Sequence, residues 1–233
     1  MRNRPIPKLS DASKALIRDL VIYEDDFLIA FNKPSGLAVQ TRGNRGTSLD
    51  HLLWTFARSN GKRPDLVHRI DAGTSGLVLA AKTKPATAFL SAQFAERLVR
   101  KVYLALVSGA LPEAGQGRCD TPLLKSGRGV QIAPEATNAD AAITDWTVLA
   151  RTEGFGLIEA RPLTGRLHQI RAHLADLGCP IMGDPIYGTE VATAPRLMLH
   201  AAHLQLTLPD KTELALEAPV PEDFDFMRAE LGL

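Results

Sequence analysis

Residues 66–82 read LVHRIDAGTSGLVLAAK: an apolar start, a polar run around a single acid, a turn-rich AGTSG, and a second unbroken apolar run. Short apolar runs bounded by Gly, Ser and Thr are strand material, so this stretch predicts a strand, a loop and a second strand. The loop would present its side chains, and Asp71 falls at the end of the first strand, just before it. An aspartate in such a place most often bonds the amides of its own turn, so Asp71 by itself implies no chemistry.

Working outward, Val21 to Asn32 alternates apolar VIY, acidic EDD and apolar FLIAF, which predicts two short strands joined by a tight turn. The preceding 1–20 are polar and basic and are expected to form an arm or a short helix at the edge of a body spanning 21–233. Leu49 to Ser59 can be helical, and Gly61 to Pro64 break that pattern. Phe89, Leu90, Phe94 and Leu98 recur at helical spacing, so 86–98 predicts an amphipathic helix, and VYLALV at 102–107 a strand. Residues 109–140, rich in Gly, Pro and charge, predict an irregular connection or a weak hairpin. Strand patterns return at 142–150 and 155–160. A helix is expected from Arg166 to about Leu177, then a loop CPIMGDPIYG and a strand carrying Leu204, Leu206 and Leu208. Strands in runs, with few helices and no strict alternation, favour an α+β fold with a mixed, largely antiparallel sheet.

The chain has 233 residues, 45% hydrophobic and 23% charged, enough for a sizeable core and for one domain with a two-lobed interior. A net charge of +1 confines any nucleic-acid site to a local patch. Cys119 and Cys179 lack paired spacing, which fits neither a disulfide framework nor zinc and suits a reducing cytoplasm. No apolar run has signal-peptide or membrane-spanning length, so a cytoplasmic protein with no membrane partner is expected. Of six histidines, His168 with His173 and His200 with His203 lack the i, i+4 zincin spacing, and no metal or other cofactor is expected. Ser75 lacks the elbow and triad of a hydrolase.

The densest positive patch is PLTGRLHQIRAHLADLG at 162–178. At about 100° per residue, Leu167, Ile170, Leu174 and Leu177 form an apolar stripe, with Arg166, Gln169 and His173 on its flank and Arg171 on the other edge. An arginine half turned toward a core needs a carboxylate partner, because a buried unpaired guanidinium is costly, and Asp71 is a candidate. The commoner fate of helical arginines, snorkelling to solvent, is the other reading.

These segments together resemble the RluA family of RNA pseudouridine synthases. VHRIDAGTSGLVLAAK is similar to the family's signature, NKPSGL at 32–37 to its first motif, RKVYLALVSG at 100–109 to its tyrosine motif, and TGRLHQIRAHLADLGCPIMGDPIY at 164–187 to its arginine motif. RLMLHAAHLQLTLP at 196–209 is similar to its closing strand. The matches keep their order along nearly the whole chain. Ile70 departs from the usual leucine, and no counterpart of the small N-terminal RNA-binding domain of many members is seen.

The resemblance implies the pseudouridine synthase fold and an isomerase that turns uridines of ribosomal or transfer RNA into pseudouridine without metal or cofactor. It implies Asp71 as catalytic aspartate, Tyr103 as active-site tyrosine and Arg171 as the arginine that pairs with the aspartate. Arg69 matches a position that helps fill the gap left by a flipped nucleotide. Phosphate contacts are expected from Arg69, Arg100, Lys101, Arg166, Gln169 and His173, and RNA binding also from Lys33 and His68 within the matched motifs. The expected partner is structured RNA, not DNA, and nothing points beyond a monomer. The alternative is a non-catalytic RNA-binding or ribosome-assembly protein on the same fold.

Overall fold

A computed structural model describes residues 7–41, 47–188 and 194–233. In chain order the elements are α1 (Asp11–Asp19), β1 (Val21–Glu24), β2 (Leu28–Lys33), α2 (Leu49–Leu52) continued by a 3-10 turn (Leu53–Phe56), β3 (Asp65–Leu66), β4 (Ser75–Ala81) and α3 (Lys84–Ala95). There follow β5 (Arg100–Ser108), β6 (Gln116–Cys119), β7 (Leu123–Ser126), β8 (Gly129–Ile132), β9 (Thr144–Thr152), β10 (Phe155–Pro162), α4 (Gln169–Asp176), β11 (Leu199–Thr207), β12 (Glu213–Glu217) and α5 (Glu222–Glu230). None of the described helices is long and apolar enough to cross a membrane.

The chain divides into two compact units, one of Met1–Val99 with His203–Pro219 and one of Arg100–Ala202 with Val220–Leu233. In the first, β2 pairs antiparallel with β1 on one side and β4 on the other, β3 pairs with β4, and β12 pairs with residues 203–207 of β11. Apolar side chains alternate between the two faces of this sheet, so each face needs a cover. Leu28, Leu77, Leu79 and Leu90 build one core with Leu204 and Leu206; Ile29, Phe31 and Val78 build the other with Leu49, Leu52 and Leu53. All seven residues of β4 are buried, as a strand covered on both faces requires. Residues 1–6 of the expected arm lie outside the described residues; 11–19 form a helix capped by Ser10, with Ile17 fully buried in the second core.

In the second unit the order is β5-β10-β9-β6, with every register antiparallel, and β7 and β8 form the hairpin expected within 109–140. Its core joins Leu106, Ile158, Ile170, Leu174, Met198 and Phe224. The α+β, antiparallel-rich architecture is the one the sequence predicts.

Three element ends differ from the spacing, each for a local reason. The helix expected over Leu49–Ser59 is α-helical only to Leu52, because Trp54, Thr55 and Phe56 are weak helix formers and the tighter 3-10 turn sets Phe56 edge-on to Phe31 at 5.9 Å. Leu98 does not join the apolar stripe of α3: Arg97 turns left-handed (φ 63°), the Leu98 amide returns to the Gln93 carbonyl, and Leu98 is left 61% exposed. The strand expected at 66–71 stops at Leu66, because the His68 ring enters the ladder and its Nε2 accepts from the Leu79 amide at 3.0 Å.

Candidate active site

In the first unit the turn ahead of β4 carries Asp71, which is half-buried. Its carbonyl accepts from the Thr74 amide, closing the turn. The 33–36 segment then clamps the next two residues. The Gly36 amide and Lys33 Nζ both donate to the Ala72 carbonyl, at 2.8 and 3.0 Å, and Ser35 Oγ donates to the Gly73 carbonyl at 2.7 Å. Gly36 reaches this position at φ +86°, where a β-carbon would be strained. A loop so tied holds its acid in a fixed place.

Lys33 is thereby corrected as a phosphate contact. It is fully buried, and its ammonium donates to the Pro34 and Ala72 carbonyls, so it braces the Asp71 loop from within. His68 is half-buried: besides its bond from Leu79 its ring stacks on Phe94, with centroids 4.4 Å apart. A ring nitrogen that accepts from an amide is unprotonated there.

In the second unit Tyr103 lies on β5 opposite Ala160 of β10 and is half-buried. Arg171 lies on α4 with a side chain only 6% exposed, and meets Asp184 in two parallel bonds of 2.7 Å from Nε and Nη2. Asp184 also accepts the amides of Ile186 and Tyr187, at 2.9 and 3.1 Å. The Tyr187 ring faces the guanidinium at 5.2 Å, and its hydroxyl accepts from the Val130 amide at 2.7 Å. Burial opposes ionisation of Asp184, but the Arg171 fork and the two amides outweigh it and hold the carboxyl below its ordinary value. The loop can deliver Asp184 because Gly183 has φ +69° and no β-carbon, which would run into the Arg196 carbonyl.

Arg171 thus has a carboxylate partner in Asp184, as a guanidinium buried on a helix requires.

The spacing also places Gln169 and His173 on a flank with Arg166, starting the helix at Arg166; α4 begins instead at Gln169, after His168 in a left-handed conformation (φ 50°). The cause is the Gln169 side chain, whose Oε1 accepts from the Arg166 amide and the Thr164 hydroxyl and so ties 164–166 into a turn. Its Nε2 donates to the Ile143 carbonyl and Thr144 Oγ1. Thr144 in turn meets His173 Nδ1 at 2.9 Å, and His173 Nε2 donates to the Thr121 carbonyl at 3.0 Å. Gln169 and His173 are both buried, which corrects them as phosphate contacts. Leu167, ahead of the helix, is exposed for the same reason.

Burial lowers the His173 pKa from 6.5, against the smaller pull of the Thr121 carbonyl. A base whose folded pKa is depressed contributes stability that is complete above its unfolded value and is lost as pH falls through the folded one. Thermal melts should therefore show stability declining below about pH 6.5, and His173→Gln should flatten that slope; an unchanged slope would remove His173 as its source.

A family model described as RNA pseudouridylate synthase matches residues 27–176, a span holding Asp71, Tyr103 and Arg171. The chain is 36% identical over 209 residues to an uncharacterised RNA pseudouridine synthase of Zymomonas mobilis, covering 88% of this chain and 94% of that protein. It is 38% identical to ribosomal large subunit pseudouridine synthase C of Rickettsia bellii, covering 91% and 72%.

The chain belongs to the RNA pseudouridylate synthase family. It is an isomerase of the RluA type. Among solved structures, human RNA pseudouridylate synthase domain containing 4 superposes with a TM-score of 0.80 at 26% identity, covering 95% of this chain and 97% of that one.

The remaining candidate RNA contacts of this synthase separate by exposure. Arg69 and Arg100 are exposed. Arg166 is held on the surface by the Ala141 carbonyl and by Asp140 at 3.2 Å, an exposed pair worth at most about 1 kcal/mol and readily given up. Lys101 reaches the Thr164 carbonyl at 3.3 Å. Asp184 and Tyr187 had no role in the sequence reading, although an acid within the apolar loop after an arginine-bearing helix was a usable signal.

Proposed function

We propose that this enzyme converts uridine to pseudouridine in large-subunit ribosomal RNA, with Asp71 as its catalytic carboxylate. The observation that carries the assignment is the Asp71 loop: a half-buried acid, followed by two carbonyls clamped by the 33–36 segment, at the mouth of a fully buried strand. The substrate follows from the relatives named for the large ribosomal subunit.

The reaction breaks the bond from uracil N1 to ribose C1′, turns the base, and joins C5 to C1′; C5 gives up its proton and N1 gains one. Nothing is oxidised or reduced. A carboxylate serves by attacking C1′ or the base, or by taking a ribose proton, and each route needs it ionised and aimed. Tyr103 takes the part of the tyrosine whose face receives the everted base, and Arg171 that of the family's arginine. The Asp184 fork and the Tyr187 ring fix the Arg171 guanidinium in one orientation.

RNA labelled on uridine C5 should release its label when incubated with the purified protein. Arg171→Ala should cut the rate by about 100-fold or more, and Arg171→Lys should not restore it, because an ammonium lacks the planar fork that Asp184 grips. Full activity in the lysine variant would remove the fork from the mechanism. RNA binding without any release would favour the non-catalytic reading. Mapping pseudouridines in ribosomal RNA from cells with and without the gene names the target.

A further inference from the structure

The first unit contains a cavity of about 190 Å³ that the Asp71 chemistry does not use. Its walls come from α1, the 3-10 turn, the 57–64 connection, the facing ends of β1 and β2 and Lys82 just after β4, and they carry five cations and one acid, Glu24. Lys82 is engaged by Glu24 at 2.8 Å, and Arg63 by Asp50 through two bonds of 3.0 and 3.1 Å. Arg18, Arg58 and Lys62 have no carboxylate partner among the described residues. Arg18 lies over the Phe56 ring at 5.8 Å. Arg58 and Lys62 are drawn together by a turn, in which the Arg58 amide donates to the Lys62 carbonyl at 2.8 Å. Thr55, also lining the cavity, has its hydroxyl buried without a described partner.

These three side chains are exposed, and together they make the concavity electropositive, which favours an anion there. The volume is below the roughly 300 Å³ at which pockets for drug-sized molecules begin and is ample for a phosphate group. Guanidinium and ammonium donors around a hydroxyl are the groups that bind phosphate. Lys82 follows the far end of β4 from Asp71, and seven residues of strand place the cavity roughly 20 Å from the catalytic loop.

We propose that this cavity binds a phosphate of the substrate RNA's backbone, remote from the target uridine; this rests on the reading of the chain as acting on RNA. It gives the enzyme a second grip within its own fold.

The test compares the full-length protein with Arg58→Ala/Lys62→Ala in binding a large-subunit ribosomal RNA transcript across a salt series. The double variant should bind about 10-fold more weakly at 0.1 M salt, with the slope of log affinity against log salt shallower by about 1 to 2, and in turnover the loss should fall on KM. Removing two exposed cations elsewhere, Arg118→Ala/Arg228→Ala, should leave affinity within about twofold. Equal affinity and slope in the first variant, or an equal loss in the second, overturns the proposal. Calorimetric titration with inorganic phosphate separates the sources: phosphate binding lost in the variant while RNA affinity stays intact would assign the cavity to a free anion and overturn the RNA contact. Salt-sensitive RNA binding by an unaltered protein that releases no label would instead refute the catalytic reading alone.

Discussion

Asp71→Ala is expected to lower label release from C5-labelled RNA by about 10⁴-fold or more while leaving RNA affinity within about twofold. The size of the loss follows from the chemistry, since every route to the rearrangement runs through a carboxylate and no other acid of the first unit is proposed for the step. The selectivity of the loss follows from the loop. Its shape is set by backbone and neighbour contacts, namely the Thr74 amide to the Asp71 carbonyl and the bonds from Lys33, Ser35 and Gly36 to residues 72 and 73, and none of these uses the Asp71 side chain. Asp71→Asn, which keeps the shape and removes the charge, should be as inactive. Turnover within tenfold of normal in either variant would remove Asp71 from the catalytic role.

Asp184→Ala is expected to produce the largest stability loss, about 3–5 kcal/mol, or a melting point lower by about 10 °C. Arg171 is almost wholly buried and cannot move to water when its bidentate partner is removed. The amides of Ile186 and Tyr187 lose their acceptor as well, so the loop that brings Tyr187 to the Val130 amide loosens. Asp184→Asn keeps one acceptor oxygen and should cost less. Because the folded state holds the Asp184 carboxyl below its ordinary value of 3.8, its contribution is complete above that pH and lost as pH falls through the folded value. Denaturant melts across the acid range should show a shallower acid-side decline in Asp184→Ala; an unchanged profile, or a melting point within about 2 °C of normal, would contradict the assignment of this pair as a principal brace.

Strand positions were legible because period and composition are local. β2, β5 and β10 lie where apolar runs bounded by turn residues predict them, whereas Asp71, expected to end a strand over 66–71, lies in the turn ahead of β4. The errors arise where a side chain competes with the backbone. His68 takes a ladder amide and ends β3, Gln169 ties up the residues before α4 and delays its start, and Arg97 ends α3 before Leu98. A helical wheel carries no information about such interventions. It placed Gln169 and His173 with Arg166 on one flank, whereas the first two are buried in a chain of hydrogen bonds through Thr144 and the third is on the surface.

By itself the sequence determined the fold class, the family and the place of the acid just ahead of the AGTSG turn, since each depends on the order of residue types along the chain. Tertiary structure alone decided which polar groups are spent internally. Lys33, sunk beside a carbonyl thirty-nine residues away, reads as an RNA contact in one dimension, and the spacing that asks for a carboxylate beside Arg171 does not point to the aspartate thirteen residues on. The physical reason is desolvation: a charge denied water needs its partner supplied by the fold, and only the folded chain fixes which groups lose water and which acceptors then lie within reach.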